Sequence, residues 1–183
     1  MKRGKIEIKP CTECTVSSNG VFCSVSEKNL GILDQARGSN FYKKGQTIFY
    51  EGNHTNGLFC IYSGKVKLSK LGENGKEQII RFAKTGNILG YRSLLSNDTY
   101  HAPATAMEDC HVFLLSKDRF MEILESDPKL SMNIVQLLSN DLKSAEQLLI
   151  DIAQKSVIER ISESLVLLQK TFGYVNGGKT INV

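Results

Sequence analysis

Five cysteines and three histidines hold most of the chemistry open to this chain of 183 residues. Cys11-Thr-Glu-Cys14 is a CxxC, and Cys23 follows after eight further residues. Thiolates so spaced can ligate a metal ion, so Cys11, Cys14 and Cys23 form the candidate metal set. Cys23 also has a plainer role open to it. It lies in Phe22-Cys-Ser-Val25, and a free cysteine packs as a small hydrophobe. Cys60 and Cys110 fall in apolar, strand-like segments and read as core residues. His54 sits in the polar turn Asn53-His-Thr-Asn-Gly57 and reads as solvated. His111 adjoins Cys110, but neighbours on a strand point to opposite faces and cannot share a ligand. Three scattered histidines without a His-x-His pair do not supply the metal cluster of β-barrel oxygenases or isomerases. No catalytic constellation is legible.

The elements around these residues are short strands divided by glycines. Leu58, Phe59, Ile61 and Tyr62 crowd together, the run stops at Ser63-Gly64, and Val66 and Leu68 then alternate with lysine. This grammar predicts strand, tight turn, strand. It recurs in Gln78–Phe82, Ile88–Gly90 and Cys110–Leu115, and evenly spaced short strands predict a closed β structure from about Phe41 to Leu115. Helices flank it. Ser26 is placed to cap a short helix reaching Gln35 with Leu30, Ile32 and Leu33 on its buried side. Ser116–Leu124 reads as a short amphipathic helix covering one end.

Asp127-Pro128 opens a longer helix, with aspartate at the cap and proline in the first turn, where its missing N–H does no harm. Leu138, Leu142, Ala145, Leu149 and Ile152 then recur at alternating spacings of four and three, which is a heptad seam. Ile134, Val135, Leu137 and Leu148 widen the apolar stripe, so two faces must be covered. A helix of about 26 residues spans about 39 Å, more than the side of so small a β domain. The seam therefore predicts a parallel homodimer, with small Ala145 allowing close approach. Ser156–Phe172 forms another amphipathic helix, stopped by Gly173.

Composition is that of a soluble globular protein, 41% hydrophobic and 23% charged. No apolar run approaches the ~20 residues of a membrane helix. The basic start Met1-Lys-Arg-Gly-Lys5 is not followed by a signal-peptide core. A cytoplasmic protein without membrane contact is expected. The net charge of +4 permits nucleic-acid binding without arguing for it.

Lys44-Gly45-Gln46 with Glu51-Gly52, the Ile61–Val66 turn read as a hairpin, Gly86-Asn-Ile-Leu-Gly90 and Ala104–Glu108 occur in an order that resembles the sensor domain of the Crp/Fnr family of bacterial transcription regulators. The resemblance runs from about residue 26 to residue 173. It implies an α+β fold: a double-stranded, jelly-roll-like β-roll sensor domain, then a long dimerisation helix and the start of a winged-helix domain. The corresponding divisions are an N-terminal cysteine-containing arm at 1–25, the β-roll at 26–126, the dimerisation helix at 127–154, and an incomplete winged helix-turn-helix domain at 155–183. It implies a homodimer that binds DNA through the rest of that last domain and works with RNA polymerase.

Cyclic-nucleotide-binding relatives carry a cassette after the glycine matched by Gly90, in which a glutamate takes the ribose and an arginine beside a hydroxyl takes the cyclic phosphate. Here Tyr91 stands at the glutamate position, His101 at the arginine and Ala102 at the hydroxyl. Losing the arginine removes a charge-assisted clamp that neutral histidine does not replace, so cyclic AMP is not the expected effector. Gly90, Tyr91, Arg92, Ser93, His101 and Ala102 remain the candidate effector site, with Arg92 able to hold another anion or to make an ordinary ion pair. Oxygen-sensing relatives hold a [4Fe–4S] cluster with N-terminal cysteines and one distant cysteine. In this chain the spacing to Cys23 is longer than in those relatives, and Cys110 comes three residues early, which turns its side chain to the other face of a strand. The cofactor therefore stays open among none, zinc and an iron–sulfur cluster. The function expected is a Crp/Fnr-type regulator. The alternatives are a stand-alone small-molecule-binding module or a redox-sensing variant of the family.

Overall fold

The structure, a computed structural model, describes residues 20–22, 25–176, 178 and 180–182. Cys11, Cys14 and Cys23 lie outside them. In chain order the elements are α1 (Glu27–Ala36), β1 (Arg37–Tyr42), β2 (Thr47–Phe49), β3 (Gly57–Ser63), β4 (Lys65–Leu71), β5 (Glu77–Lys84), β6 (Ile88–Leu89), α2 (Tyr91–Leu95), β7 (Ala104–Ala106), β8 (Cys110–Ser116), α3 (Lys117–Ser126), α4 (Pro128–Gln154), α5 (Val157–Phe172), β9 (Tyr174–Val175) and β10 (Thr180–Ile181). The chain divides into two compact units, Met1–Ile134 and Val135–Val183.

In the first unit two four-stranded antiparallel sheets, ordered β1-β8-β3-β6 and β2-β7-β4-β5, form the β-roll. The core lies between them, where Phe59, Ile61 and Val112 of one sheet meet Phe49, Val66, Ala104 and Ala106 of the other. Every connection in the roll except β4 to β5 crosses from sheet to sheet.

This order corrects the hairpin expected at Ile61–Val66. Strands β3 and β4 do not pair; Ser63-Gly64 carries the chain round a corner between sheets. Gly64 has φ of 105°, and a Cβ there would lie 2.4 Å from the Cys110 sulfur, so conformation and space both demand glycine. The hairpin is instead β4–β5, closed by the Gly72 amide donating to the Lys76 carbonyl at 2.9 Å. Strand β1 also starts earlier than Phe41. Gly38-Ser-Asn40 has no strand propensity of its own, and pairing with β8 imposes the conformation. Cys110 is fully buried, and its thiol donates to the Lys65 and Glu108 carbonyls. Burial raises its pKa, which keeps it an inert thiol.

Helix α3 packs on β3 and β8 through Phe120 and Ile123, both fully buried. Asp127 then ends α3 and begins α4. Its carboxylate is 5% exposed and accepts from the Lys129 and Leu130 amides at 3.1 and 3.3 Å, and from the Ser26 amide and Asn29 side chain at 3.0 and 3.2 Å. In the second unit α4 runs on to Gln154, and Ser156 caps α5 in a reciprocal box with Glu159. Lys155 joins the two helices through Asp151 at 2.7 Å and Glu163 at 2.5 Å. Strands β9 and β10 pair beyond Gly173.

The Ser26 amide, the Asn29 side chain and the Leu130 and Lys129 amides hold the Asp127 carboxyl below its ordinary pKa. A depressed native pKa means stabilisation that is complete above the unfolded value of about 3.9 and lost as pH falls through the native one. Asp127→Ala is expected to cost about 1–3 kcal/mol near neutrality. It should also flatten the acid limb of a stability-against-pH curve measured by urea unfolding.

Candidate functional site

Tyr91, the first residue of α2, is 2% exposed and points into the roll rather than to solvent. Arg81 of β5 donates to its hydroxyl from Nη1. The Arg81 guanidinium carbon also lies 5.6 Å from the ring centroid, and that of Arg92 lies 5.9 Å away. Both fall within the ~6 Å over which an aromatic face attracts a cation. One phenol ring thus engages two arginines from different elements. Arg81 escaped the sequence reading; the only cue was a lone arginine among the apolar residues of Gln78–Phe82.

Gly90 precedes Tyr91 with φ of 82°, and a Cβ there would come within 3.1 Å of the Tyr100 ring. Tyr100 is buried and stacks on Phe49 with centroids 4.1 Å apart, while Phe59 tilts against Phe49 at 5.3 Å. The Tyr100 hydroxyl reaches the Gly57 carbonyl at 3.4 Å. Its backbone is held from both directions: the Gly52 amide donates to its carbonyl at 2.9 Å and its own amide donates to Asn53 at 3.1 Å. These aromatics occupy the space between the sheets beside the cassette. Burial pushes the Tyr100 hydroxyl pKa up, so it stays neutral.

The remaining candidates scatter. Ser93 and Ala102 are buried, whereas Arg92 is exposed on the outer side of α2. The His101 side chain is 68% exposed and faces Asp98, Nε2 to Oδ2 3.4 Å. The structure therefore brings Gly90, Tyr91 and Arg92 together with Arg81, and turns His101 away to solvent. His101 and Ala102, which stand at the arginine and hydroxyl positions, do not converge: Ala102 is buried and His101 faces solvent.

The seam residues lie on the second unit's part of α4. Leu142, Leu149 and Ile152 are 62, 68 and 56% exposed, Ala145 is exposed, and Leu138 is half-buried. Val135 and Leu148 add to the exposed apolar surface. In α5 no residue is buried. Apolar stripes of this length mark a surface built to be covered. Among the described residues no group of three or more His, Cys, Asp or Glu side chains could hold a metal ion.

Residues 39–127 match the cyclic nucleotide-binding domain family. The chain is 28% identical over 163 residues to the fumarate and nitrate reduction regulatory protein of Vibrio cholerae, covering 88% of this chain and 65% of that one. It is 26% identical to the transcriptional activator protein anr of Pseudomonas aeruginosa, covering 88% and 66%. The chain thus spans just under two thirds of the length of these relatives. Among solved structures it resembles the catabolite activator protein of Thermus thermophilus, with a TM-score of 0.65, 25% identity, and 73% and 62% of the two chains covered.

Because Tyr91 fills its site, Tyr91→Ala is expected to cost about 3–5 kcal/mol of stability by cavity formation. Tyr91→Phe, which removes only the acceptor for Arg81, should cost about 1–3 kcal/mol. Urea unfolding of the two variants separates the packing from the hydrogen bond.

Proposed function

We propose that the chain is a member of the Crp/Fnr family, the sensing and dimerising part of a homodimeric, cytoplasmic, DNA-binding transcription regulator whose effector is not a cyclic nucleotide. The observation that carries the reading is the heptad seam of α4, exposed in a single chain and placed directly after a cyclic nucleotide-binding domain. Two copies of α4 paired along Leu138, Leu142, Ala145, Leu149 and Ile152 would cover it. Residues 1–25 serve as an arm, 26–126 as the sensor, 127–154 as the dimerisation helix, and 155–183 as the entry to the DNA-binding domain. A change in the sensor or arm would alter how the long helices pair, and so the spacing of two recognition elements on a palindrome with successive major grooves about 34 Å apart. RNA polymerase is the partner such a regulator would act through. The residue pattern offers no route to an enzyme, and the relatives named above are regulators.

The cassette supports the exclusion of cyclic nucleotides. Tyr91 takes the ribose-carboxylate position and already satisfies Arg81, while His101 points to Asp98. A different effector would have to engage Gly90, Tyr91, Arg92, Ser93 or Ala102 by displacing contacts now made within the protein.

A second reading, a redox sensor carrying zinc or an iron–sulfur cluster, draws on Cys11, Cys14 and Cys23. Cys110 does not fit as a fourth ligand, because its thiol is enclosed in the roll and bonded to two carbonyls. Any metal would rest on the N-terminal cysteines with ligands from elsewhere. Stoichiometric iron or zinc after anaerobic purification, lost in Cys14→Ser, would favour this reading; metal-free protein would remove it.

Sedimentation equilibrium tests the main reading. The wild-type chain is expected to be a dimer, and Leu142→Lys with Leu149→Glu a folded monomer, since each places a charge at the seam. A monomeric wild type, or a dimer indifferent to both substitutions, would overturn the α4 interface.

A further inference from the structure

The N-terminal segment and the start of the long helix share one buried side chain. Asp127 serves two masters with two oxygens. Oδ1 accepts from the Lys129 and Leu130 amides, donors that the start of any helix leaves unmet. Oδ2 accepts from the Ser26 amide and the Asn29 side chain, about a hundred residues earlier in the chain. Asn29 is 4% exposed and also lies 3.5 Å from the Ser126 hydroxyl. One turn further along α4, the Asn133 side chain donates to the Val21 carbonyl at 2.9 Å.

These bonds do not act independently. If Ser26 and Asn29 withdraw, Oδ2 is left buried without a donor, a costly state for a charged group. The carboxylate relieves it by turning toward water, and the turn takes Oδ1 away from the amides of Lys129 and Leu130. If the first turn of α4 frays, Asp127 equally loses the anchor that holds Oδ2 under Ser26.

We propose that Asp127, assisted by Asn133, is a coupling residue: displacement of Val21, Ser26 and Asn29 frays the first turn of α4, and ordering of that turn draws them back. Reciprocity follows because a coupling free energy between two places acts equally in both directions. The coupling stands on these bonds alone. Its regulatory meaning, a route from the cysteine-bearing arm to the dimerisation helix, rests on the Crp/Fnr reading.

Residue-resolved amide hydrogen exchange on the full chain tests it. Asn29→Ala, or the closer-sized Asn29→Leu should the first variant fold poorly, removes a donor on the N-terminal side only. The expected result is several-fold faster exchange at Lys129 and Leu130, with the roll amides of Val66 and Val112 unchanged. The same substitution is then made in an Asp127→Asn background. There one side-chain oxygen can still cap α4, but the amide nitrogen has no acceptor to offer Ser26 or Asn29. In that background Asn29→Ala should leave the Leu130 rate unmoved. A Leu130 rate indifferent to Asn29→Ala in the wild type, or equal acceleration in both backgrounds, overturns the proposal. Neither result depends on whether the protein dimerises or binds DNA, so failure of the regulator reading would be seen separately.

Discussion

The stack of Phe49 on Tyr100, 4.1 Å between centroids, joins the parts of the β-roll that local sequence leaves separate. Phe49 comes from one sheet, Phe59 against it from the other, and Tyr100 from the segment that closes the cassette. Each such aromatic pair contributes about 0.5–1.5 kcal/mol beyond its burial. Its larger effect is spatial. Tyr100 against Gly90 fixes where α2 begins, and thereby drives Tyr91 inward to meet Arg81. In this domain the segment after Gly90 is held by the protein's own side chains.

Away from that aromatic stack, polar links gather at the two ends of α4. At its start, Asp127 binds Ser26 and Asn29. Toward its end, Lys155 bridges Asp151 and Glu163, tying α4 to α5 across the break at Ser156. The bonds differ in kind. Asp127 is buried and paired with neutral donors, so salt will touch it little. The Lys155 pairs are partly exposed and subject to screening.

Much of this was legible in the sequence, and the rest failed for identifiable reasons. The short strands read as divided by glycines, and Gly45, Gly52, Gly64, Gly86 and Gly90 all take positive φ. Asp127-Pro128 and Gly173 marked helix ends within a residue or so. What a glycine cannot announce is whether the next strand pairs with the last or leaves for the other sheet; Gly64 read as a hairpin and is a crossing. Strand β1 was hidden because Gly38-Ser-Asn40 becomes extended only by pairing with β8. The Asp127 cap was visible as a local pattern, but its partners Ser26 and Asn29 are distant in sequence and polar, so periodicity gave no hint of them. Arg81 was missed for the same reason: its meaning comes from Tyr91, which is brought to it by the fold.

The segment after Gly90 is already satisfied by the protein's own side chains, and calorimetric titration of the purified chain with cyclic AMP and cyclic GMP tests most directly whether it still takes a nucleotide. The prediction is no saturable heat at concentrations far above those that fill a functional cassette. Stoichiometric, saturable binding of either nucleotide, abolished by Arg81→Met or Arg92→Met, would contradict it and return the roll interior to service as a ligand site.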